Sequence, residues 1–138
     1  MRFLILNGPN LNLLGKRNPE VYGDKDFEGI LKAIRDEFPS HRIDYYQSNV
    51  EGEIINELQR ADGKYHAIIL NAGGYTHTSV AIGDTVEAID CPVIEVHISN
   101  IYAREEFRHI SYISPHAKGV IAGLGPDVYL LAVESLVR

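Results

Sequence analysis

Five short apolar runs of strand length alternate along the chain with four stretches of helical periodicity. This repeated β-α order predicts an α/β fold, an open flavodoxin-like sandwich with a five-stranded parallel sheet of order 2-1-3-4-5 and helices on both faces. The runs are RFLILN (2–7), RIDYYQ (42–47), HAIILN (66–71), PVIEVHIS (92–99) and GVIAGLG (119–125). Most are rich in Ile, Val and Leu, as strands buried on both faces are; RIDYYQ fits least well. Between them, Phe27, Ile30, Leu31, Ile34 and Phe38 form one helical stripe, Ile54, Ile55, Leu58 and Ala61 another. Residues 79–90 and 127–137 read similarly.

At 138 residues with 45% apolar content, the chain reads as one domain, 1–138, able to bury a core. No apolar stretch reaches the roughly 18 residues a membrane helix needs, and MRFLILNG has neither a basic leader nor a small-residue cleavage site. A cytoplasmic protein with no membrane partner is expected. Cys91 is the single cysteine, which excludes an internal disulfide and a cysteine-rich metal site; beside Pro92 it reads as a small buried residue. The six histidines form no HExxH or similar cluster, so no metal is expected. A net charge of -6 argues against general nucleic-acid binding, which needs a basic face. Any anion must be held locally.

In such folds ligands sit beyond the carboxyl ends of the strands. Those ends read Asn7-Gly8-Pro9-Asn10, Gln47-Ser48-Asn49, Asn71-Ala72-Gly73-Gly74 and His97-Ile98-Ser99-Asn100. Each is an ordinary turn taken alone, but together they place amides, glycines and a histidine on one edge. That inventory suits a polyhydroxylated ligand, because amides donate and accept while glycines let backbone N–H groups come close. From Asn7 to the helix near Asp26 the chain spends about 18 residues where 2 to 6 are usual, and GKRNPEVYG (15–23) lies in that stretch. A lid carrying Arg17 and Tyr22 over the strand end of His97 would close a pocket and expel water. GGYTHTS precedes a helix, with Thr78 or Ser79 as its cap and His77 at the junction. Arg104 and Arg108 fall four apart on one helical face beside Glu105 and Glu106, a surface salt-bridge pattern well placed to meet an anion.

Several motifs then converge. GPNLNLLGKRNPEVYG, YYQSNVEGEIINELQ, ILNAGGYTHTSVAIGD, EVHISNIYAREEFRHISYISPHAKGVIAGLG and the final YLLAVESL resemble, in order and spacing, the type II 3-dehydroquinate dehydratases of the shikimate and quinate pathways. The resemblance covers nearly the whole chain. It implies cofactor-free dehydration of 3-dehydroquinate to 3-dehydroshikimate by a homododecamer of four trimers. It also implies roles: Tyr22 as the base at C2, His97 as the acid protonating the departing C1 hydroxyl, Arg17 as their electrostatic helper, and Asn10 as holder of a water near the enolate oxygen. Asn71 and the backbone N–H groups of Ile98 and Ser99 would bind the substrate carboxylate, with His77 and Arg108 on ring hydroxyls. Asp84 would reach a neighbouring subunit's site. Val50, Gly83 and Tyr102 depart from the His, Arg and His common in the family.

The implied chemistry is consistent with these residue types. Loss of the C2 proton beside the C3 ketone gives an enolate and needs a strong base, whereas tyrosine titrates near 10. Bringing that to about 7 takes roughly 4 kcal/mol, which a cation ~4 Å away supplies at an effective dielectric of ~20. Arg17 is the nearest candidate cation in sequence. Glu95, two residues before His97 on the same strand face, either orients it, holds it charged, or is plain structural support.

Other classes fit less well. A Schiff-base enzyme needs a desolvated strand-end lysine, and Lys16, Lys25, Lys32, Lys64 and Lys118 all fall in polar loops, helices or boundaries. GPNLNLLG is neither a dinucleotide fingerprint nor a P-loop. A receiver-type signalling module would need acidic strand ends where Asn7 and Asn71 stand; a flavin protein is allowed by the fold alone.

Overall fold

The structure, a computed structural model, describes residues 1–15 and 26–138. Five parallel strands form one sheet: β1 (Arg2–Asn7), β2 (Arg42–Gln47), β3 (Ala67–Asn71), β4 (Val93–His97) and β5 (Gly119–Ala122), in the order β2-β1-β3-β4-β5. Helices α1 (Phe27–Glu37), α2 (Glu51–Ala61), α3 (Val80–Ala88) and α4 (Asp127–Val137) make the crossovers and the final layer. The expected order and helix positions are therefore present.

Strand alternation divides the core. Phe3, Ile5, Ile69, Ile94 and Val96 point to the face covered by α1 and α4, where Ile30, Ile34, Val128 and Val133 meet them. Leu4, Leu6, Ile68, Leu70 and Val93 point the other way, against Ile54 and Leu58 of α2 and Ile82 and Val86 of α3. Neighbouring residues of one strand thus serve opposite layers, which is why the central strands read as unbroken apolar runs. Each helix starts on a local signal where one exists: Asp26 accepts from the Gly29 N–H at 3.0 Å, and Ser79 from the Ile82 N–H at 2.9 Å. Ser79, rather than Thr78, is the α3 cap. Cys91 is buried, and desolvation, aided by Asp62, pushes its thiol up to about 11.

Register brings the strand ends level. Asn7 stands opposite both Gln47 and Asn71, and His97 opposite Ala122. The sheet reverses its winding between β1 and β3, so a crevice opens beyond these ends, the position where α/β sheets bind ligands. One expectation needs correction. Arg104 and Arg108 do not share a helix: the link between β4 and β5 holds three short 3-10 turns, Ile101–Ala103, Glu106–His109 and Ser114–His116. Arg104 interrupts them with extended backbone (φ -110°, ψ -162°), and Asn100 caps the first turn by accepting from the Tyr102 N–H, so no continuous ladder can run through the segment.

Candidate active site

The crevice holds a cavity of about 150 Å³, the size that admits a six-membered ring. It draws on four pieces of chain: the β1 end (Pro9, Asn10, Leu11, Leu14), the β3 end (Asn71, Gly73, Gly74, His77), the β4 end (His97, Ile98, Ser99) and the following turns (Ile101, Arg104, Arg108). Asn10, Asn71, Gly73, Gly74, His77, His97, Ile98, Ser99, Arg104 and Arg108, all singled out in the sequence, therefore come together. Arg17 and Tyr22 lie outside the described residues, and with them the expected lid. Asp84 is exposed on α3 and is not part of this lining.

Each polar group has a traceable cause. Asn71 is buried with its amide held at both ends: Nδ2 donates to the Tyr129 hydroxyl at 2.9 Å, and Oδ1 accepts from the Gly73 N–H at 3.1 Å. Tyr129 in turn donates to Asn7 Oδ1 at 2.8 Å. With its oxygen engaged by Gly73, Asn71 can offer a ligand its second N–H. Gly73 takes a left-handed φ of 60°, and a Cβ there would stand 3.1 Å from the Pro9 carbonyl oxygen. Gly74 has open space around it and carries no such constraint. Asn10, also left-handed at φ 71°, has its N–H tied to Asn49 Oδ1 at 3.0 Å, which joins the β1 and β2 ends.

His97 is 5% exposed, and its Nε2 lies 2.5 Å from Oε2 of Glu95, which is 0% exposed. Burial would raise the Glu95 carboxyl, but hydrogen bonds from His97, Ser114 and Ser111 together with the His97 charge hold it below its ordinary value. Glu95 is thus an anion paired with the ring, leaving His97 Nδ1 for a ligand. The His77 ring stacks near that of His97 at 6.2 Å between centroids, and its Nδ1 sits 2.8 Å from the Ile110 carbonyl oxygen. A carbonyl only accepts, so that nitrogen carries the proton and Nε2 is the acceptor. Desolvation lowers the His77 pKa despite the Ile110 bond, which favours this neutral form. Arg104 Nη1 donates to Ser99 Oγ at 3.2 Å, while Arg108 uses Nε on Glu105 at 3.2 Å. The wall so built offers cations, an amide donor, an imidazole acceptor at His77 and the Glu95-paired His97 ring around a ring-sized space.

Against known proteins, the family model Dehydroquinase class II matches residues 1–137. The chain belongs to the class II dehydroquinase family. It is 50% identical to the 3-dehydroquinate dehydratase of Fusobacterium nucleatum subsp. nucleatum, over 100% of this chain and 97% of that protein. The 3-dehydroquinate dehydratase of Rhizobium johnstonii is 53% identical over 96% of this chain and 92% of its own length. Among solved structures, the type II dehydroquinase from Butyrivibrio crossotus superposes with a TM-score of 0.95 at 42% identity, covering 100% of this chain and 98% of that one. This class II dehydroquinase fold carries two groups that sequence reasoning did not single out. Tyr129 looks in sequence like one more apolar member of a helix stripe, and Ser111 and Ser114 like turn residues; nothing local points them toward Asn71 or Glu95.

Proposed function

We propose that the chain is a 3-dehydroquinate dehydratase, a hydro-lyase that removes water from 3-dehydroquinate to give 3-dehydroshikimate through an enolate, without a cofactor. The observation that carries this reading is the buried Glu95–His97 pair at the head of a ring-sized cavity in a class II dehydroquinase chain. The Tyr22 phenolate takes the C2 proton, and the electrons pass to the C3 oxygen. Their return expels the C1 hydroxyl, which leaves as water with a proton from His97. Arg17 favours the phenolate, and Asn10 holds a water at the enolate oxygen. The second N–H of Asn71 and the backbone N–H groups of Ile98 and Ser99 receive the carboxylate; Arg108 and His77 Nε2 take ring hydroxyls, and Arg104 adds positive charge. Gly73 and Gly74 keep the β3 wall thin.

The reading extends to assembly. A cytoplasmic enzyme of one domain, built as a dodecamer of four trimers, would let Asp84 serve a neighbour's cavity, consistent with its exposure and its absence from its own cavity wall. Among the described residues no helix is long and apolar enough to cross a membrane. Nucleic acid has no part in the reading.

The test is direct. The protein is mixed with 3-dehydroquinate, and the ultraviolet absorbance of the conjugated enone is followed for wild type, Tyr22→Phe and His97→Ala. Turnover by wild type that survives chelator, and its near abolition in both variants, are expected. No turnover by the folded wild type would overturn the reading.

A further inference from the structure

Glu95 sits mid-sheet on β4 with no solvent exposure, a position where an ionised carboxylate is costly unless its oxygens are filled. Its partners can be counted. His97 Nε2 reaches Oε2 at 2.5 Å. Ser111 Oγ lies 3.1 Å from Oε1 and 3.0 Å from Oε2, and Ser114 Oγ lies 2.6 Å from Oε1. The direction of the Ser111 bond is fixed by its other contacts: its oxygen accepts from the N–H groups of Ile113 at 3.1 Å and Ser114 at 3.0 Å. A hydroxyl has two lone pairs and one proton, so with both pairs taken the proton goes to Glu95. Ser114 opens the 3-10 turn before β5 and Ser111 lies in the loop just ahead of it, so neither comes from the strand that carries the dyad.

We infer that Ser111 and Ser114 are positioning residues for His97: the two hydroxyls clamp Glu95 as an oriented anion, and the anion fixes the pose of the imidazole and the place of its Nε2 proton. This deepens the proposed function and rests on its assignment of His97 as the acid. The same segment is latched to the β3 end, since the Tyr112 N–H donates to the Thr76 carbonyl at 3.0 Å and Ile110 holds His77. The clamp therefore sets two histidines at once. Among the described residues, the other charged or titratable groups around the pair are His77, stacked on His97, and Arg104 and Arg108 in the cavity wall, the latter beside Glu105.

The clamp has a signature that mere structural support lacks. Hydroxyl donors stabilise ionised Glu95, so removing one shifts proton uptake by the carboxylate upward. Ser114→Ala is the cleaner variant, because Ser111 also holds two backbone N–H groups. In protein labelled with 13C at glutamate carboxyls, the Glu95 transition, identified by its loss in Glu95→Gln, should rise by about one pH unit in Ser114→Ala. In Ser114→Ala kcat should fall with KM held, and in Ser114→Thr both the transition and kcat should return toward wild type. Ser114→Cys, with a weaker donor, should show a smaller shift of the same sign. A Glu95 transition unmoved in folded Ser114→Ala or Ser114→Cys, with His97→Ala inactive, would overturn the serine clamp alone. An active His97→Ala would overturn the acid assignment beneath it.

Discussion

Replacing Tyr129 with Phe removes one oxygen from a fully buried position and tests whether that oxygen sets the cavity's amide. Burial pushes the phenol well above its ordinary value, so it remains a proton donor to Asn7 while accepting from Asn71. The substitution deletes both bonds and strands two groups that have little solvent exposure. Leaving one buried polar group without its partner costs about 1–3 kcal/mol, so with two such groups the variant should be less stable by about 2–6 kcal/mol. At roughly 4 °C per kcal/mol for a chain of this length, Tm should fall by about 8–24 °C. Function should respond through binding. With Nδ2 released, Asn71 keeps only its Gly73 bond, and KM for 3-dehydroquinate should rise by about threefold to tenfold, up to about 1.4 kcal/mol, with kcat changing less. Calorimetry and steady-state kinetics read both numbers. A Tm within about 2 °C of wild type with unchanged KM would refute the claim that Tyr129 holds the amide.

Two further outcomes follow from particular contacts. Gly83 stands where a Cβ would overlap the Tyr112 carbonyl oxygen, so Gly83→Ala should cost about 1–3 kcal/mol by forcing α3 away from that segment, and an unchanged thermal unfolding curve would count against it. Because the folded Glu95 carboxyl lies below its ordinary value of 4.5, its contribution to stability is complete above that pH and disappears as pH falls through the lower folded value. Urea unfolding between about pH 3 and 6 should therefore show a steeper acid loss in wild type than in Glu95→Gln, and parallel slopes would show that Glu95 is not the group responsible.

The sequence was most legible where burial was most uniform. β1, β3 and β4 are enclosed on both faces, so nearly every residue had to be apolar and the runs were plain; the edge strand β2 has one free side and mixes Arg, Asp and Gln, which blurred it. The strand-end residues could be read because the topology alone determines which ends share an edge. Contacts made by side chains across long sequence separations could not. Nothing in YLLAVESL distinguishes a tyrosine that fills a core from one that bonds two asparagines, and SYIS does not reveal that its hydroxyls turn inward onto a glutamate. The Arg104 to Arg108 spacing suggested a helix because four residues make one turn, but 3-10 turns broken by extended backbone can place the same two side chains on one cavity wall. Arg17 and Tyr22 remain sequence expectations.

The Asn7–Tyr129 bond spans 122 positions and has a consequence for the order of assembly. The hydroxyl that orients both asparagines arrives only with α4, after every strand has been synthesised. A nascent chain that stops before residue 129 would thus hold the His97 and Asn71 ends of the crevice without the group that aims the amide. A contact between the first strand and the last helix is of the long-range kind that slows folding. Binding competence should therefore lag behind sheet formation in a refolding experiment.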